Sequence, residues 1–129
     1  MLRPTALDHV GLVVTDLDRA LRSYQALGLE LLRVTGPHPD GGRIAVVKVG
    51  GQEINVFHHP DVVPGGARDK EVGIDHLCLT MEAASMDDLV ADLRGAGVSV
   101  VKGPVQRRDG WSVFVSDPDG IRVELRLPS

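Results

Sequence analysis

Two histidines and one glutamate draw attention first, because they are types that bind divalent metals and because the sequence sets them at matching places. His9 lies in Leu7-Asp8-His9-Val10 and His76 in Ile74-Asp75-His76-Leu77, the same pattern repeated 67 residues later. Glu124 lies in Gly120-Ile121-Arg122-Val123-Glu124-Leu125, which aligns with Gly51-Gln52-Glu53-Ile54-Asn55-Val56 at an offset of 69 residues. A lone strand histidine is ordinarily structural or half exposed, and Glu124 by itself would be a surface carboxylate paired with Arg122 or Arg126. Two histidines at equivalent points of a repeat, with a carboxylate at the repeat's matching end, favour a shared metal ion. Such a set leaves coordination positions open for substrate or oxygen. By the same register Asn55 is the counterpart of Glu124; neutral and short, it is expected to orient a bound water or a substrate oxygen rather than hold the ion.

Other residues carry weaker signals. Phe57 and Trp111 are the best candidates for an apolar pocket wall among the four aromatics. Arg122 and Arg126 flank Glu124 and would suit either an anionic substrate or plain surface charge. Cys78 is expected to be a small core residue, since a nucleophile needs a base or an electropositive setting. His58 and His59, beside Pro60, read as a solvated loop, and Tyr24 as helix packing. No residue is singled out as a catalytic acid or base.

These groups need elements to position them. Residues 6–14 and 73–81 each read as a strand followed by an amphipathic helix. In the first helix Thr15 is the expected N-cap with Asp18 at N3, and Leu17, Ala20, Leu21, Tyr24 and Leu27 recur at helical spacing. In the second, Ser85 caps with Asp88 at N3, and Met86, Leu89, Val90 and Leu93 form the stripe. Gly28 and Gly97 end them. Strand-like runs follow at 29–35, 43–49 and 53–58, then at 98–101, 111–116 and 121–127, separated by turns such as Asp117-Pro118-Asp119-Gly120. The expected class is α+β: two βαβββ modules, about 6–58 and 73–127, forming a cupped eight-stranded mixed sheet with helices on its outer face. Residues 59–72 join the modules into one domain spanning 1–129. The histidines are offset by 67 residues and the repeat's ends by 69, which puts two extra residues around the second helix.

Strand alternation assigns the faces. Val10, Leu12 and Val14, then Leu77, Leu79 and Met81, then Val123, Leu125 and Leu127 should meet the helices. The opposite faces hold His9, His76, Cys78, Glu124, Arg122, Arg126, Asn55 and Phe57, and should line a cleft. Burying imidazoles and a carboxylate there costs several kcal/mol unless something compensates them, and a metal compensates all three.

The whole-chain numbers narrow the classes of function. A chain of 129 residues with 43% hydrophobic and 25% charged residues suits one globular domain. A net charge of -4 without a basic stripe argues against nucleic acid or anionic membrane as partners. One cysteine precludes an intrachain disulfide or a cysteine-rich zinc site. With no apolar stretch of signal-peptide or membrane length, a cytoplasmic protein is expected.

At Leu7-Asp8-His9-Val10-Gly11-Leu12, at Ser23-Tyr24-Gln25-Ala26-Leu27-Gly28 and at Asp117-Pro118-Asp119-Gly120-Ile121-Arg122-Val123-Glu124, the sequence resembles the vicinal oxygen chelate superfamily. That group includes glyoxalase I, extradiol dioxygenases, fosfomycin and bleomycin resistance proteins and methylmalonyl-CoA epimerase. The resemblance implies paired βαβββ modules cupped around one divalent ion (Fe, Mn, Ni, Zn or Co), with His9, His76 and Glu124 at three ligand positions. The fourth position, glutamate in glyoxalase I and glutamine in the epimerase, is Asn55 here. The tyrosine that extradiol enzymes carry before Asp-Pro-x-Gly is Phe114, no histidine occurs in 82–129, and the threonine of fosfomycin transferases is Gly11. The resemblance therefore implies a metal-dependent lyase, isomerase or dioxygenase acting on a small molecule. A metal-free binding module of the bleomycin-resistance type is the alternative. A homodimer is expected, because open four-stranded modules leave edges that need cover.

Overall fold

The computed structural model describes residues 1, 3, 5–63 and 74–129. From residue 64 onward the expected linker, and the first residue of the expected strand 73–81, lie outside the described residues. The chain divides into two compact units, Met1–Pro64 and Gly65–Ser129.

In the first unit β1 (His9–Val13), α1 (Leu17–Ala26), β2 (Glu30–Thr35), β3 (Arg43–Val49) and β4 (Gln52–His58) follow in order. The sheet runs β1-β4-β3-β2, with β1 parallel to β4 and the other pairs antiparallel. The ladder of β1 is shorter than the expected 6–14 because β4 partners only His9 to Val13. Leu17, Ala20, Leu21 and Tyr24 of α1 are buried, as are Leu12, Val14, Ala45, Val47, Ile54 and Val56 on one sheet face. Each larger aliphatic side chain removed from water in this way contributes about 1.5–3 kcal/mol. The cap of α1 is Asp16 rather than Thr15: Val14 still bonds Phe57 in extended chain, and the Asp16 carboxylate accepts the Arg19 amide at 2.9 Å.

The second unit repeats this plan with β5 (His76–Thr80), α2 (Met86–Gly95), β6 (Lys102–Arg107), β7 (Gly110–Ser116) and β8 (Arg122–Pro128). Its sheet order is β5-β8-β7-β6, again with one parallel pair, β5 with β8. Ser85 caps α2 and accepts the Asp88 amide at 3.1 Å, and Leu89 and Leu93 are buried with Leu79, Val113, Val115, Val123 and Leu125. The two extra residues enter between strand and helix, since three residues separate β1 from α1 and five separate β5 from α2. The strand expected at 98–101 is displaced to Lys102–Arg107. Pro104 lacks an amide hydrogen, but β6 is an edge strand, where proline is tolerated. Both modules carry a cis Gly–Pro bond, Gly36-Pro37 and Gly103-Pro104.

The architecture is thus α+β, two βαβββ modules with eight strands in two four-stranded mixed sheets and one helix in each module. Registration makes the repeat concrete. Gly11 faces Asn55 across β1 and β4, and Cys78 faces Glu124 across β5 and β8.

Candidate functional site

In the second unit the Asp117–Gly120 turn fixes where β8 begins. Asp117 is buried, its Oδ1 accepts the amides of Asp119 at 2.8 Å and Ile121 at 2.9 Å, and Gly120 takes φ +83, a conformation that suits glycine. From that start β8 presents Val123, Leu125 and Leu127 to one face and Arg122, Glu124 and Arg126 to the other. Parallel pairing sets Glu124 beside Cys78, and antiparallel pairing sets it beside Phe114.

Glu124 is 8% exposed, and its surroundings explain how a carboxylate remains there. Ser112 Oγ donates to Oε2 at 2.6 Å, Arg107 Nε lies 3.7 Å from the same oxygen, and His76 Nε2 lies 3.1 Å from Oε1. The other ring nitrogen of His76, Nδ1, is 2.7 Å from Asp75 Oδ2. Arg122 Nη1 donates to Asp75 Oδ1 at 3.2 Å. The hydrogen bond from His76, with Arg122 adding to it against some desolvation, holds the Asp75 carboxyl below its ordinary 3.8. His76 therefore has a carboxylate on each nitrogen. With Nδ1–H given to Asp75, the Nε2 lone pair would meet another acceptor, so a proton or a cation must lie between His76 and Glu124. Fixing a histidine tautomer through a carboxylate on the far nitrogen is the usual arrangement behind a metal-binding imidazole. These two donors and their supporting carboxylate fit a divalent ion.

The first unit repeats half of this. His9 Nδ1 lies 2.8 Å from Asp8 Oδ2, the same doublet contact that His76 makes with Asp75. Asn55 stands at the register position of Glu124 and is half-buried. Phe57 crosses β1 at Gly11, where an added Cβ would come 3.0 Å from its ring, so a threonine at Gly11 would have to push Phe57 aside. Among the described residues no group of three or more His, Cys, Asp and Glu side chains is assembled for a metal.

Other expected site residues take different places. Arg122 is committed to Asp75, and Arg126 to the side chain and backbone of Asp109. Trp111, 43% exposed, shares its strand face with Val113 and Val115, opposite to Ser112 and Phe114. Cys78 is exposed rather than a core residue, because the helix-free face of β5 is not covered within its own sheet. Burial first, then the Glu124 charge, raises its thiol above the ordinary 9.0. His58 and His59 are half-buried, not a solvated loop. They line a cavity of about 440 Å³ with His38, Arg43 and Phe57, and His59 Nδ1 accepts the Asp61 amide at 3.0 Å.

A second cavity, of about 480 Å³, opens beside His76 and is lined by Asp75, His76, Val101, Lys102, Arg107, Phe114 and Arg122. Phe114 packs edge-on to the His76 ring at 6.0 Å, while Lys102 and Arg107 lie over its face at 5.4 and 5.6 Å. Lys102, Arg107, Ser112 and the supporting role of Asp75 were not read from the sequence. The Asp-His doublet in both repeats was the available signal for Asp75, whereas Lys102 and Arg107 sit on the strand that Pro104 concealed.

The two βαβββ modules point to a superfamily, and residues 6–125 match the Glyoxalase/Bleomycin resistance protein/Dioxygenase superfamily. The chain belongs to it. It is 28% identical over 123 residues to a virulence protein of Salmonella typhimurium, covering 92% of this chain and 81% of that protein. It is also 28% identical over 128 residues to lactoylglutathione lyase of Haemophilus influenzae, covering 91% and 88%. The crystal structure of a glyoxylase/bleomycin resistance protein/dioxygenase domain from Frankia sp. EAN1pec superposes with TM-score 0.80 at 25% identity, covering 98% of this chain and 100% of that one.

Proposed function

We propose that the chain is a metal-dependent enzyme that holds one divalent ion with His9, His76 and Glu124 and acts on a small substrate bearing two neighbouring oxygens. The observation that carries this reading is His76 held between two carboxylates, Asp75 on Nδ1 and Glu124 on Nε2. His9 joins the set through the repeat, with Asp8 doing for its Nδ1 what Asp75 does for His76. A bound ion would supply Lewis acidity for a developing enolate or oxyanion. The chain's own groups do the rest: Asp8 and Asp75 fix the imidazole tautomers, Ser112 orients Glu124, and Phe114 and Val101 form apolar wall beside them. Asn55 is the group assigned to orient a water or substrate oxygen.

Relatives named for glyoxalase support this class, among them a lactoylglutathione lyase. A second reading, a metal-free binding module, draws on Arg107, which stands 3.7 Å from Glu124 and compensates its charge without a metal. Metal stoichiometry separates the two. Protein prepared without a histidine tag and supplemented with divalent metals is expected to hold about one ion per chain. His76→Ala and Glu124→Ala should abolish it, Asn55→Ala should keep it, and Asn55→Glu should tighten it. Equal loss in Asn55→Ala and His76→Ala would make Asn55 a ligand, and an empty wild type after supplementation would leave the binding module.

A further inference from the structure

We propose that Lys102 and Arg107 form an anion subsite beside the His76–Glu124 pair, so that the substrate is a small organic anion with an apolar body. The proposal rests on reading that pair as part of the functional site. Of the cations lining the cavity, Arg122 is paired with Asp75. Lys102 faces the Phe114 ring, and among the described residues no carboxylate pairs with it. Arg107 is only partly engaged: its Nε is buried and has no hydrogen-bond partner, Glu124 at 3.7 Å being too distant for one.

The Nε is closed off from the cavity, but the Arg107 side chain as a whole is 38% exposed and lines it, so an anionic oxygen there can meet the rest of the guanidinium. Lys102 and Arg107 lie 5.4 and 5.6 Å from the Phe114 centroid, so both charges converge where an aromatic surface is also offered. Val101 extends that apolar wall and is 61% exposed. A carboxylate or phosphoryl head at Lys102 and Arg107 would thus place the rest of the molecule along Phe114, next to the edge of the His76 ring.

Titration calorimetry at low ionic strength tests this on the full chain, both metal-loaded and chelator-treated, with benzoate, phenylphosphonate, inorganic phosphate and neutral benzamide as probes. At least one aryl anion is expected to bind roughly tenfold or more tightly than benzamide, and to weaken as salt rises. Comparing benzoate with phenylphosphonate tells carboxylate from phosphoryl. Lys102→Gln should weaken that anion about tenfold and Arg107→Lys several-fold, the latter keeping a charge opposite Glu124 so that the fold survives, while Lys48→Gln on β3 changes nothing. Anion binding unchanged in both cavity variants, or benzamide binding as well as benzoate, would overturn the subsite. Metal content measured on the same samples keeps the two readings apart. A full metal complement without anion binding removes the subsite alone, and anion binding by protein that takes up no metal removes the metal reading alone.

Discussion

The residues around Glu124 form one line of polar contacts, Arg122 to Asp75 to His76 to Glu124, with Ser112 and Arg107 closing the far end. His76, Ser112, Arg122 and Glu124 are placed by the register of β5, β7 and β8, Arg107 by the pairing of β6 with β7, and Asp75 by its place just before β5. Cys78 reports on this line without belonging to it, because it sits opposite Glu124 in register. Its thiol is raised above its ordinary value by burial and then by the Glu124 charge, so the protonated thiol is favoured at neutral pH. Alkylation of chelator-treated protein by iodoacetamide, followed by mass spectrometry, should be slow at pH 7 and still rising past pH 9. Glu124→Gln removes one cause of the shift and should move the profile to lower pH. A rate that levels off below pH 8 would contradict the assignment.

At the scale of elements, the sequence made the repeat legible through two physical signals, hydrophobic alternation and the doubled Asp-His. Residues 43–49 were readable as a strand to the residue, because Ile44, Val46 and Val49 lie between unmistakable turns. Of the candidate site, the meeting of His76 with Glu124 and the register of Asn55 were legible because they ride on that repeat, which is also the ground on which His9 is proposed. Lys102 and Arg107 were not, since Gly103 and Pro104 erase the strand signal just where the edge strand runs. The cap of α1 was misplaced by one residue because Thr15 and Asp16 both carry suitable oxygens, and only the backbone decides which reaches the third helical amide. Asp16→Ala is therefore expected to cost about 1 kcal/mol, roughly 3 to 5 °C in Tm, whereas Asp16→Asn recovers most of it. Thermal denaturation of the three proteins measures this, and an unchanged Tm in Asp16→Ala would show that the cap contributes nothing.

For the whole molecule, the open question set by the fold is what covers its unpaired edges. Among the described residues β1 and β2 are the outer strands of one sheet and β5 and β6 those of the other, and strand edges of this kind call for pairing or cover. Large apolar side chains are exposed as well: Leu7 at 71%, Val13 at 61%, Ile74 at 74% and Val101 at 61%. Proline at Pro104 protects β6 from further pairing, but β1 and β5 have no such device in their sequences. Among the described residues no helix is long and apolar enough to cross a membrane. We propose that a second copy of the chain covers this surface, since like edges and like apolar faces can meet around a twofold axis. Light scattering at micromolar concentration should give twice the chain mass of 13.8 kDa. Val13→Lys, which puts a charge on the exposed face of β1 without touching the buried Leu12 and Val14, should shift the population toward single chains. A clean mass at the single-chain value in the wild type would remove the dimer, and an unaltered dimer in Val13→Lys would move the interface away from β1.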